Sequence, residues 1–83
     1  MSMKLTIISP KEVIEHSIVW LEITTNQGNF VIQAEHAPTL FTLAQDKPIS
    51  FCLKNGKQES LFIKNGVVEI SRKSALILLS EFL

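Results

Sequence analysis

The chain has 83 residues, 46% hydrophobic and 19% charged, with eight basic and eight acidic side chains and a formal net charge of zero. That length supports one domain with one core (residues 1–83), and the composition excludes a disordered tail. The charge balance offers no general attraction for nucleic acid or an anionic membrane, and no extended Lys/Arg run creates a local one.

Cys52 is the only cysteine, so no intrachain disulfide can form, which fits a reducing compartment. The opening "MSMKLTIISPKEV" lacks the apolar stretch and cleavage site of a secretory signal. The longest apolar run, Ala75–Leu79, is far too short to span a bilayer. A soluble, intracellular protein with no direct membrane insertion is expected, one that is free to sit at the edge of a membrane assembly.

Short β-like runs separated by turn residues dominate the chain. "MKLTIIS" ends at Ser9-Pro10, where proline lacks an N–H and restricts the residue before it. "SIVWLEITT" (17–25) alternates Val19, Leu21 and Ile23 against Trp20, Glu22 and Thr24, the period of a half-buried strand. "NQG" then turns the chain into "NFVIQ". "AEHAPTLFTLAQ" has helical composition, yet Pro38 would break a helix, leaving at most a single turn after it.

The second half predicts a four-stranded antiparallel meander: "PISFCLK", "KQESLFIK", "VVEIS" and "ALILLS". The first two joins carry Asn55-Gly56 and Asn65-Gly66, which suit type I′ hairpin turns. Ile49, Phe51 and Leu53 share one face, and Phe51 and Phe62 are expected in the core. "SALILLSEFL" has helix-forming composition, but its place in the meander favours a strand through Leu79, buried on both faces. The pattern predicts an all-β fold, a small antiparallel β-sandwich of about ten short strands.

Chemistry is sparse. Two His-containing dipeptides, Glu15-His16 and Glu35-His36, invite a metal or general-base reading. Adjacent residues on a strand point to opposite faces, and two His with one Cys are too few for a structural zinc site. No Gly-x-Ser-x-Gly elbow, P-loop or GxGxxG is present. Cys52 sits in mid-strand, where a lone cysteine is usually a small buried hydrophobe. Trp20 lies opposite the Val19/Leu21/Ile23 face, with exposed and packed readings both open. No catalytic residue, metal, cofactor or small-molecule substrate is expected.

Taken together, "KLTIISPKEVI", "IVWLEITT", "GNFVIQAEHAPTL" and "NGVVEISRKSALILL" resemble the epsilon subunit of F-type ATP synthases. The resemblance is to its N-terminal β-sandwich domain, called delta in mitochondria. Gly28, Phe30, Ile32, His36, Ala37, Pro38 and Leu40 fit the family's Gly-x-[FL]-Gly-[IV]-Leu-Pro-Gly-His-Ala-Pro-[LT]-Leu pattern in order. Asn65-Gly66-Val67-Val68-Glu69-Ile70 is similar to its later Gly-Gly-Phe-Val-Glu-Val. Val31 departs from a glycine, and Ala34-Glu35 replaces Pro-Gly, so a different turn geometry is expected at that corner.

The resemblance implies a non-catalytic rotor subunit that binds gamma and the c-ring, helping couple ion-driven rotation to ATP synthesis. It implies a peripheral position on the cytoplasmic side of a bacterial inner membrane. It also makes Asn29, Glu35, His36 and Pro38 the candidate partner-binding residues, with Pro38 shaping the loop. His36 could instead brace its turn without touching a partner, and His16 is expected to be a surface side chain. Many members continue into two α-helices that restrain ATP hydrolysis. Only "SEFL" follows the last predicted strand, so inhibition by that route is not expected of the chain as given. The alternative reading is a stand-alone β-sandwich adaptor unrelated to ATP synthase.

Overall fold

Strand periodicity runs through most of the chain, and a computed structural model describing residues 2–82 (side chains over 2–80) contains seven strands. They are β1 (Met3–Ile8), β2 (Val13–Thr25), β3 (Gly28–Gln33), β4 (Thr39–Thr42), β5 (Lys47–Leu53), β6 (Gln58–Ile70) and β7 (Ser74–Phe82). No helix occurs among the described residues. None is therefore long and apolar enough to cross a membrane.

Five strands close into a ring. β1 pairs with β2 and β7, and β7, β6, β5 and β2 follow in turn. The β1–β7 pairing is parallel, so the sheet is mixed and not wholly antiparallel as predicted. Strands β2 and β6 have 13 residues each and serve two layers. In β2, residues 13–18 pair with β1 and residues 20–25 with β3. In β6, residues 58–63 pair with β5 and residues 67–70 with β4. Each long strand carries a register shift where it passes between layers, at Ile18/Trp20 and around Asn65/Gly66. Bulges bend a strand and sharpen its twist, which is how one strand turns a corner between packed sheets.

The core lies between the layers. Leu5 and Ile7, Ile18, Leu21 and Ile23, Ile32, Ile49 and Phe51, Ile63, Val68 and Ile70, and Ala75 and Ile77 fill it from six strands. Every second residue contributes, as the strand period demands. Full burial of each such Leu, Ile or Phe is worth roughly 1.5–3 kcal/mol.

Several expectations need correction. The strands number seven because predicted neighbours fuse. Asn65-Gly66 is not a turn: both residues lie inside β6, and Gly66 is absent from the positive-φ glycines, Gly28 and Gly56. Glycine is needed there for another reason. A Cβ at Gly66 would sit 2.6 Å from the Leu78 carbonyl oxygen and 2.8 Å from Leu79 Cδ2. The Asn55-Gly56 turn is real but not type I′, since Gly56 has φ 94° while Asn55 keeps negative φ. The Leu53 carbonyl accepts from the Gly56 N–H at 2.9 Å, and the Leu53 N–H donates to the Lys57 carbonyl at 2.7 Å. This is a three-residue loop closed by a glycine bulge.

No helical turn follows Pro38; the chain enters β4. β7 is a strand, as expected, but buried on one face only: Ala75, Ile77 and Leu79 point inward while Leu78 is 44% exposed. At the β2 bulge Ile18 takes the core position and Val19 turns outward. Phe51 is buried, but Phe62 is 60% exposed because it alternates with buried Ile63 along β6 and so takes the outer face. His16 is half-buried and lies against Phe51, ring centroids 5.3 Å apart, so it plugs the end of the core. Its neighbour Glu15 points away and pairs with Lys4 at 2.9 Å.

Candidate partner-binding surface

The corner after β3 is built by its backbone. The His36 N–H donates to the Gln33 carbonyl at 3.3 Å, closing a turn over Ala34-Glu35. Glu35 has φ 69°, and its N–H donates to the Arg72 carbonyl at 2.6 Å. The corner is thereby tied to the β6–β7 turn. His36 Nδ1 lies 2.8 Å from the Ala37 carbonyl, a hydrogen bond when that nitrogen carries the proton. Thr39 Oγ1 donates to the same carbonyl at 2.9 Å. Pro38, exposed, then feeds the chain into β4 without offering an N–H.

Three of the four candidate residues therefore share this corner. Asn29 does not: it stands at the start of β3, about 13 Å from Gln33 along the strand, where its Nδ2 donates to Thr24 Oγ1 at 3.3 Å. The His36 imidazole lies against the carbonyl of the next residue, which it can hold when Nδ1 is protonated. Glu35 and Pro38 leave their side chains to solvent. No three His, Cys, Asp or Glu side chains converge among the described residues. The concavities are shallow: one of about 450 Å³ lies between the β2–β3 turn and the β4–β5 loop, lined by Asn26, Gln45, Lys47 and Asn65 among others.

A larger feature escaped the sequence. Cross-strand register sets Val13 opposite Ile8, Ile8 opposite Leu78, and Leu78 opposite Val67 on one outer face. The adjoining row runs Leu76, Glu69, Leu40. Val13 is 61% exposed and Leu40 71%. Directly opposed residues share a face, so six apolar side chains from five strands line one outer face around Glu69, with Val13, Leu40 and Leu78 exposed and Ile8, Val67 and Leu76 half-buried. Contiguous patches of this kind mark sites of association. Periodicity along one strand cannot show it, because the row runs across strands distant in sequence.

Residues 2–83 match the family model described as the ATP synthase delta/epsilon chain, β-sandwich domain. The chain belongs to this family. No curated protein matches the sequence. Among solved structures, this delta/epsilon domain is similar to a chain of the Euglena gracilis mitochondrial ATP synthase, in an assembly of OSCP, F1 and c-ring. The TM-score is 0.90 at 22% identity, over 99% of this chain and 52% of that one. A chain from the Tetrahymena thermophila mitochondrial ATP synthase central stalk and c-ring gives a TM-score of 0.81 at 18% identity. That match covers 100% of this chain and 66% of the other. The delta/epsilon domain thus spans about half the length of the first and two thirds of the second. At these identities the likeness establishes the fold.

The family pattern also explains the corner. Glu35 stands where the resemblance puts glycine, and it adopts the left-handed backbone that glycine would supply. Val31 stands at the other departure and is ordinary strand, paired with Glu22.

Proposed function

We propose that this delta/epsilon β-sandwich domain is a non-catalytic rotor subunit of an F-type ATP synthase. It binds gamma and the c-ring and helps couple ion-driven rotation to ATP synthesis. The observation that carries the reading is the family match across residues 2–83. The apolar outer face of β1, β7 and the C-terminal half of β6 suits a lasting interface with gamma, since stable assemblies bury apolar surface. The polar corner of Glu35, His36 and Pro38, with Asn29 as the remaining candidate, suits contact with the exposed loops of the c-ring. The domain works at the periphery of the membrane-embedded synthase, on the cytoplasmic side of a bacterial inner membrane.

Co-expression with the gamma subunit and c-ring of the same synthase tests this. Stoichiometric co-purification with gamma is expected, together with its loss when Leu40 and Leu78 are both replaced by Lys. Failure of the unaltered chain to capture gamma would sink the rotor reading and leave an adaptor for some other protein.

A further inference from the structure

Among the described residues, β3 and β4 each pair along one edge only, and the chain treats their free edges differently. β4 is only four residues long and is entered directly from Pro38. Shortness and proline both blunt an edge against pairing with another chain. β3 has neither device. Its register with β2 is unbroken over six pairs, and among the described residues its other edge pairs with no strand. Its residues, Gly28 to Gln33, include no charge and no proline. Val31 at its middle is 55% exposed, and Phe30 is half-buried although its ring packs on Phe41, centroids 5.1 Å apart.

The residues of this edge form a nearly symmetric series about Val31: Asn29, Phe30, Val31, Ile32, Gln33. We propose that the free edge of β3 pairs antiparallel with the same edge of a second copy of this chain, about a twofold axis at Val31. Each Val31 then faces its counterpart, Phe30 faces Ile32, and Asn29 faces Gln33. A twofold interface uses one patch twice, so that patch must be complementary to itself. This one is: apolar meets apolar and amide meets amide, arrangements that stabilise cross-strand pairs.

Charges do not oppose the pairing. In the same register Glu35 lies opposite Gln27, a neutral residue. The two Glu22 side chains, each one strand behind a Val31, end up three strand spacings apart, about 14 Å. That exceeds the screening length of about 8 Å at physiological ionic strength. The net charge of zero adds no repulsion between copies.

A five-residue pairing is smaller than a standard interface, so the dimer is weak, with a dissociation constant between about 10 µM and about 1 mM. It belongs to the domain outside an assembly and is independent of the rotor reading. Sedimentation equilibrium over that concentration range tests it. The apparent mass should climb from 9.3 kDa toward twice that value. Val31→Lys and Val31→Glu should each stay monomeric, with circular dichroism verifying the retained fold, because like charges then meet at the axis. An equimolar mixture of the two variants should regain the dimer. Leu40→Lys, on the apolar face, should dimerise as the unaltered chain does. A chain that stays monomeric throughout overturns the proposal. So do a Val31 variant that still dimerises, a mixture that does not, and a Leu40→Lys variant that cannot.

Discussion

The N–H of Glu35 donates to the carbonyl of Arg72 at 2.6 Å, joining the corner after β3 to the turn between β6 and β7. The two residues are far apart in sequence, and Glu35 holds φ at 69° at this contact. That conformation places Cβ near the following carbonyl, at a cost of roughly 1–2 kcal/mol for an ordinary L-residue. The closed sheet holds the corner in place despite that strain.

Replacing Glu35 with glycine should therefore stabilise the domain. Removing the Cβ clash outweighs the added freedom of the unfolded chain, for a net gain of about 0.5–1 kcal/mol. Thermal unfolding followed by circular dichroism should show a midpoint a few degrees higher, roughly 4–8 °C per kcal/mol for a domain of this size. Glu35→Val should lower it, since a branched side chain tolerates this backbone worst.

Gly66→Ala and Gly56→Ala should separate two reasons for glycine. At Gly66 the new Cβ meets the Leu78 carbonyl, a backbone atom that cannot step aside without opening the β6–β7 ladder. A loss of more than about 2 kcal/mol is expected there. At Gly56 the space is open and only φ 94° is strained, so about 1 kcal/mol should be lost. Urea denaturation gives both numbers; equal losses would mean that the close approach at Gly66 is relieved easily.

The two phenylalanines predicted for the core should behave oppositely. Phe51→Ala leaves a hole in the core and withdraws the surface on which His16 rests, for a loss of about 3–5 kcal/mol. Phe62→Ser acts on an exposed outer position and should stay within about 0.5 kcal/mol of the original. A Phe62 effect as large as that of Phe51 would place its ring in the core after all.

Deleting residues from Leu76 onward should abolish cooperative folding. β7 is the strand that joins β1 to β6, so its loss opens the ring and removes Ile77 and Leu79 from the core. A truncated chain with dispersed amide resonances in a two-dimensional NMR spectrum would show that the remaining strands close without it.

Much of this was legible in the chain itself. Alternation marked Leu21 and Ile23, Ile49 and Phe51 as core, Ser9-Pro10 marked the first turn, and Pro38 excluded a helix. These are local properties: the period of side-chain direction and the φ limits of proline act on neighbours in sequence. The same locality settled that Glu15 and His16 could not chelate together, because they leave the strand on opposite sides. Ordered motif residues also sufficed to name the family.

Tertiary structure decided the rest. Asn65-Gly66 reads as a turn in sequence, yet a backbone passing at Leu78 makes it a bulge within one long strand. Glu35 looks like a lost glycine, yet the sheet holds it in glycine's conformation. Val13, Ile8, Leu78 and Val67 become one surface only through the register of four strands. Asn29 parts from Glu35 and His36 because a strand holds them at its two ends. In each case the deciding force acts between residues far apart along the chain. Sequence fixes which residues can form strands; packing alone fixes which strands meet, and so which side chains face a partner.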